Sequence, residues 1–93
     1  MKKIGIISDT HSFWDDSFDK YFSNCDEIWH AGDIGNLKIT DKLGKIALLK
    51  GVYGNIDNEK IRQEFPLNQY MEFGTHKVLM THIGSNPYNY YKN

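Results

Sequence analysis

Five residues of this 93-residue chain combine metal-ligating chemistry with a recurring placement. Asp9 and His11 follow the first apolar run, Asp33 the second, Asn55 the third, and His82 the last. Two carboxylates, two imidazoles and a side-chain amide form a mixed oxygen and nitrogen donor set. Such a set suits Mn, Zn, Fe or Ni better than Ca, with Mn favoured here. No cysteine lies near the pattern to suggest a thiolate structural zinc site. A carboxylate has two oxygens and can bridge two cations. Two cations about 3.5–4 Å apart would clamp a phosphoryl group and acidify a bridging water, the natural nucleophile for in-line attack on phosphorus. Gly32 and Gly54 precede Asp33 and Asn55, where a missing Cβ lets backbones approach closely.

The elements that must position these residues follow from hydrophobic periodicity. Lys3 to Ser8 reads as a short buried strand. From Asp15 to Cys25, the residues Phe18, Tyr21, Phe22 and Cys25 recur at helical spacing, with Asp15, Asp16 and Asp19 at the positive end of the helix dipole. Asp26 to Ala31 is a second strand. Leu37 to Leu43 is a weaker helix with Gly44 as its stop, and Lys45 to Val52 is a third strand. Ile56 to Phe65 holds one or two helical turns ended by Pro66. Tyr70 to Phe73 and Lys77 to Thr81 form a hairpin across Gly74-Thr75-His76. Alternating strands and helices make a single α/β domain over residues 1–93, with a mixed, largely parallel sheet and flanking helices. Open parallel sheets bind ligands beyond the carboxyl ends of their strands. If the hairpin's second strand runs parallel with the first three, all five candidates meet at one sheet edge.

Composition narrows the functional classes. A chain of this length buries roughly 65% of its unfolded surface, enough for one core but not two. It is 40% hydrophobic and 14% aromatic with two prolines, which argues against disorder. The net charge of −1 gives no general attraction to nucleic acid or to acidic membranes, so no stable partner of either kind is expected. The charge is uneven, with three lysines against seven acids in residues 1–36 and eight basic against five acidic groups afterwards. That N-terminal acidity is either a solvated helix face or a cation site. A single cysteine fits a reducing compartment, and the apolar run after Lys3 is too short for a signal core or a membrane span. A cytoplasmic location is the expectation.

Asp9-Thr-His11, His30-Ala-Gly-Asp33, Gly54-Asn55-x-Asp57 and Thr81-His82, in this order, resemble the calcineurin-like metallophosphoesterases, in particular their small bacterial and archaeal phosphodiesterase branch. The resemblance runs from residue 3 to about residue 84. It implies a four-layer αββα sandwich, two divalent metal ions and a small phosphate-ester substrate. Asp9 and His11 would then hold the first metal, Asp33 would bridge both, and Asn55 and His82 would hold the second, with Asn55 also touching a phosphate oxygen. No side chain would act as nucleophile, because metal-bound hydroxide takes that role. Two departures stand out. The family's site ends in a Gly-His-x-His segment that supplies further ligands, and no histidine follows His82 in this sequence. Protein phosphatases of the superfamily carry a proton-donating histidine where this chain has Ile56, which argues against phosphoprotein substrates and for activated esters or diesters.

Plainer readings stand beside these. Asp9, Asp33 and Asn55 are also common turn residues, and His82 could be a satisfied loop histidine. Asp57 reads as a helix cap or as a support for a ligand. His30, inside a strand, reads as a buried, hydrogen-bonded histidine, and His76 as an exposed turn residue. Cys25, Phe13, Trp14, Phe18 and Trp29 read mostly as core. Tyr88, Tyr90 and Tyr91 read as an aromatic contact surface or a cut end. Against the enzyme reading stands a non-catalytic metal-binding or scaffold module of the same fold. A homo-oligomer that completes the site across an interface is a third arrangement.

Overall fold

A computed structural model describes residues 2–82. The expected surface of Tyr88, Tyr90 and Tyr91 lies outside the described residues. Three short strands, β1 (Ile4–Ile7), β2 (Glu27–His30) and β3 (Leu48–Gly51), form a parallel sheet in the order β1-β2-β3. Between them run α1 (Ser17–Phe22) and α2 (Leu37–Ile46), and α3 (Glu59–Glu64) follows β3. The hairpin of β4 (Asn68–Phe73) and β5 (His76–Thr81) is antiparallel.

β2 is the central strand, and all four of its residues are buried. Alternation then assigns its side chains to two cores. Ile28 joins Phe22, Ile34, Ile39, Leu43 and Ile61 beneath the helices, whereas Trp29 packs with Val52, Met71 and Met80 beneath the hairpin. Gly5 lets α1 lie on β1, because a Cβ there would collide with the Phe22 ring. Among the described residues the layers are therefore helices, parallel sheet and hairpin sheet, three of the four that the family resemblance implies.

The hairpin corrects one expectation. β5 pairs with β4 alone and forms a separate two-stranded sheet instead of joining the parallel one. Met71 and Met80 take the buried positions of β4 and β5, and they are covered face to face by Trp29 and Val52.

Element ends shifted for local reasons. Helix α1 starts at Ser17 because the Asp15 Oδ1 accepts both the Ser17 amide (2.9 Å) and its hydroxyl (2.8 Å) in a turn of its own. Gly44 does not stop α2. The helix runs on to Ile46, with nothing near a Cβ at residue 44, and the Ala47 amide closes it on the Leu43 carbonyl. Helix α3 begins at Glu59 because Asn58, not Asp57, caps it, its side chain accepting the Ile61 amide at 3.1 Å. His76 is the first residue of β5 instead of a turn residue. The two-residue turn is Gly74-Thr75, with Gly74 at φ +63° as a glycine-first hairpin turn requires.

Candidate metal centre

The loop after β1 is folded against the loop after β2 by backbone bonds. The amides of Asp9, His11 and Ser12 donate to the carbonyls of Gly32 (2.9 Å), Asp33 (3.0 Å) and Ile34 (2.9 Å). To follow this path, Asp9 (φ 56°), His11 (48°), Ser12 (69°) and Asp33 (56°) adopt the left-handed region, which non-glycine residues seldom occupy. Each such conformation costs on the order of 1–3 kcal/mol and persists only where surrounding contacts fix it. For Asp33 this geometry excludes an ordinary type I turn. Asn55, by contrast, is not left-handed.

Asp57 fixes the third loop to the second. Its buried carboxylate accepts the amides of Ile34 (3.1 Å), Gly35 (2.9 Å) and Gly54 (2.8 Å). It is thus not a helix cap but the brace between two loops, and through Ile34 and Gly54 it supports the residues beside them, Asp33 and Asn55. Gly54 lies so close to Asp33 that a Cβ would overlap its backbone nitrogen and its Oδ1. Thr10 and His30 form a second brace. Gly32 donates its amide to His30 Nδ1 (3.1 Å), so the imidazole proton sits on Nε2, facing the Thr10 hydroxyl at 3.0 Å. That hydroxyl in turn donates to the Ile34 carbonyl at 2.8 Å. His30 is fully buried, and burial lowers its pKa to about 4, so it is neutral at physiological pH. The buried, hydrogen-bonded histidine expected from the sequence is what is found.

On this frame the five candidate ligands converge. Asp9, Asp33 and His82 each offer a ligand atom, all within 4.8 Å of one another. His11 Nε2 lies 3.6 Å from Asp33 Oδ2 and 3.8 Å from Asp9 Oδ1. Asp33 divides its two oxygens. Oδ1 accepts the Ile56 amide at 3.2 Å, and Oδ2 faces both His11 and, at 3.3 Å, His82 Nε2. The imidazole of His82 lies over Gly32, where a Cβ would meet the ring at 2.7 Å. Its Nδ1 is held by the Ala31 carbonyl at 2.8 Å, and its Nε2 also meets Asn55 Oδ1 at 3.1 Å.

This arrangement fits a cation. In the neutral imidazole, donation from Nδ1–H to a backbone carbonyl leaves the lone pair on Nε2, the usual preparation of a metal-binding histidine. That lone pair then faces two oxygen atoms, a cluster of Lewis bases that calls for a positive charge among them. Burial works to raise the pKa of Asp9, but hydrogen bonding, from Ser8 first, and its other polar neighbours outweigh it. The carboxyl is held below its ordinary value, ionised and ready for a cation. Asp33 is buried, while the side chains of Asp9 and His11 are half exposed, so the centre is open on their side. Oxygen and imidazole donors without sulfur fit a divalent metal ion.

Two residues on the rim, Tyr53 and Arg62, carry no sequence signal. A lone arginine on an exposed helix face and a tyrosine after a strand are too common to single out.

The chain is similar to several known proteins. A probable metallophosphoesterase of Methanocaldococcus jannaschii is 34% identical over 85 residues, covering 85% of this chain and 42% of that protein. Vps29 of Chaetomium thermophilum matches in fold with a TM-score of 0.72 at 23% identity, over 85% of this chain and 45% of that one. A single mutant of Vps29 from Entamoeba histolytica matches with a TM-score of 0.68 at 17% identity, over 85% and 47%. The chain thus spans less than half the length of these relatives. The profile of the calcineurin-like phosphoesterase superfamily domain matches residues 1–93, and with the strand-end ligand pattern in place, the chain belongs to that superfamily.

Proposed function

We propose that the centre is that of a metal-dependent phosphoesterase acting on a small phosphodiester, with Asp9, His11, Asp33, Asn55 and His82 holding two divalent cations, Mn favoured. The observation that carries this reading is His82, whose Nε2 is aimed at Asp33 Oδ2 and Asn55 Oδ1 while Nδ1 is engaged by a backbone carbonyl. When bound, such cations supply an acidified water and neutralise the charge of the phosphoryl group. The chain's own residues supply position. Asp33 is fixed through Oδ1 so that Oδ2 stays in the centre, and the Asn55 amide would touch a phosphate oxygen. Ile56, half exposed beside Asp33, has no proton to give a leaving group. That favours esters whose leaving group departs without protonation, such as diesters of acidic alcohols.

Calorimetry with MnCl2 and hydrolysis of bis(4-nitrophenyl) phosphate test the reading. Expected is Mn binding by the wild type, its loss in Asp33→Ala, and slow hydrolysis that requires the metal. Equal Mn binding by Asp33→Ala, or none by the wild type, overturns it. The open side at Asp9 and His11 favours one second reading, a metal-binding module without catalysis. Mn binding with no hydrolysis at any protein concentration selects that module. A specific rate that rises with protein concentration indicates a site completed between two copies.

A further inference from the structure

Beside the Asn55–His82 end of the metal centre opens a cavity of about 310 Å³, lined by Tyr53, Gly54, Asn55, Arg62, Leu67 and His82. At about 30 Å³ per water this is room for roughly ten waters, enough for a compact anion on a short spacer. Leu67 and Tyr53 give the lining apolar surface. Arg62 belongs to the same lining, stacked on Tyr53, and its guanidinium is held in place. Its carbon lies 4.5 Å from the centroid of the Tyr53 ring, and its Nε donates to the Asp57 carbonyl at 2.8 Å. Tyr53 is itself fixed by its amide, which donates to the Pro66 carbonyl at 3.1 Å. Among the described residues no carboxylate forms an ion pair with Arg62. The one carboxylate in the same loop, Asp57, is turned away and committed to three amides.

A permanent positive charge fixed by neutral partners, with its terminal nitrogens unclaimed by any acid, is a fork prepared for a carboxylate or phosphate. Its stacked and hydrogen-bonded pose removes much of the entropy that a mobile arginine would lose on binding. The cavity is continuous with two of the five candidate ligands. A molecule whose phosphoryl group sits on the metal centre would therefore place its remaining part here.

We propose that this cavity is a subsite for a second anionic group on the substrate, bound by Arg62, so that the favoured esters carry an anion a short spacer away from the scissile phosphate. The proposal rests on the phosphoesterase reading above and adds the substrate class to it. The bland alternative is that Arg62 only closes α3, stacked on Tyr53 at the favourable end of the helix dipole.

Two probes that differ only in the far anion separate these. Calorimetry on the Mn-loaded protein compares 3-phosphonopropionate with propylphosphonate. One charge-assisted fork predicts that the wild type prefers the former by about tenfold or more. In Arg62→Gln the ratio should fall to near one, with Mn affinity unchanged. Arg62→Lys, which keeps the charge but not the fork, should fall between. 1,2-Ethanediphosphonate replaces the carboxylate by a second phosphonate, and the tighter binder of the two names the anion. Equal affinity of the wild type for 3-phosphonopropionate and propylphosphonate, or a preference that survives Arg62→Gln, overturns the proposal. If the wild type binds no Mn, the phosphoesterase reading fails separately. A titration of the metal-free protein with 3-phosphonopropionate then decides the subsite. A saturable shift of the Arg62 Nε–H resonance supports it, and the absence of one overturns it.

Discussion

Replacing Asp57 with alanine should be among the most damaging single changes in the described fold, although Asp57 offers no atom to the metal centre. Its carboxylate accepts three buried or half-buried amides, from Ile34, Gly35 and Gly54, at 3.1, 2.9 and 2.8 Å. A hydrogen bond to a charged acceptor contributes about 1.5–3 kcal/mol, and a buried donor left without a partner costs about 1–3 kcal/mol. Three such donors would sum to more than the final effect, since water and loop relaxation recover part of the loss and the alanine spares burying a charge. We expect a destabilisation of about 3–5 kcal/mol, the range for removing one member of a buried charged network. The neighbouring Asn58 supplies the control. Its side chain caps α3 through one bond to the Ile61 amide, and Asn58→Ala should cost about 1 kcal/mol. Urea unfolding of the metal-free protein, followed by fluorescence of the buried Trp29, measures both on one scale. Asp57→Asn is informative too, because its NH2 would face an amide that needs an acceptor, so it should recover little. If Asp57→Ala costs no more than Asn58→Ala, the brace between the two loops is not what holds them.

Three further outcomes follow from the same frame. Gly54→Ala places a methyl group on Asp33 Oδ1 and its backbone nitrogen, so Asp33 must move, and calorimetry should show Mn affinity lowered by about 10–100-fold, as for other groups that orient a ligand. His30 has its pKa lowered by burial to about 4, against an ordinary 6.5. The native state therefore binds the proton less well than the unfolded chain, and metal-free stability should be full above about pH 6.5 and fall toward pH 4, by on the order of 3 kcal/mol. A urea series across that range should show this slope in the wild type and a flatter one in His30→Gln. Buried Glu27 is held to a pKa of about 2, first by Lys2, against the opposing effect of burial, and then by Trp29 Nε1 and Lys50. Its contribution is present above about pH 4.5 and lost as the pH falls toward 2, so Glu27→Gln should remove the lower part of the acid transition while leaving the part above pH 4.5 in place.

The candidate centre was legible because its residues are misplaced by the logic of the elements around them. Asp9, Asp33, Asn55 and His82 each follow an apolar run whose periodicity they interrupt, and the parallel order of β1, β2 and β3 follows from the helices between them. The sheet to which the hairpin belongs was not legible. Alternation says that Met71 and Met80 need cover, and it does not say whether the cover is an edge or a face. Asp57 was legible only as a choice between a helix cap and a support for a ligand, for a local reason. An acid just before a helix resembles a cap, and only the tertiary approach of Ile34 and Gly35 shows where its oxygens go. The left-handed turn of Asp9, His11 and Ser12 was hidden for another. Glycine announces such a conformation by type, whereas these residues are driven into it by bonds to a loop more than twenty residues away.

That last point bears on why the ligands sit where they do. Three amides of the first loop, each donating to a carbonyl of the second, form the ladder that holds Asp9 and Asp33 near each other, and no carboxylate takes part in it. Two like charges drawn together would separate if only their side chains positioned them. Here the backbone fixes them, Asp57 ties the third loop to the second through Ile34, Gly35 and Gly54, and His82 arrives from β5 over Gly32, a position without a side chain of its own. The repulsion is thus absorbed by hydrogen bonds that do not depend on the charges. The metal-ligating function is separable from the fold at Asp9 and His11, whose side chains are half exposed. It is inseparable at Asp33, whose Oδ1 is also a structural acceptor for the Ile56 amide.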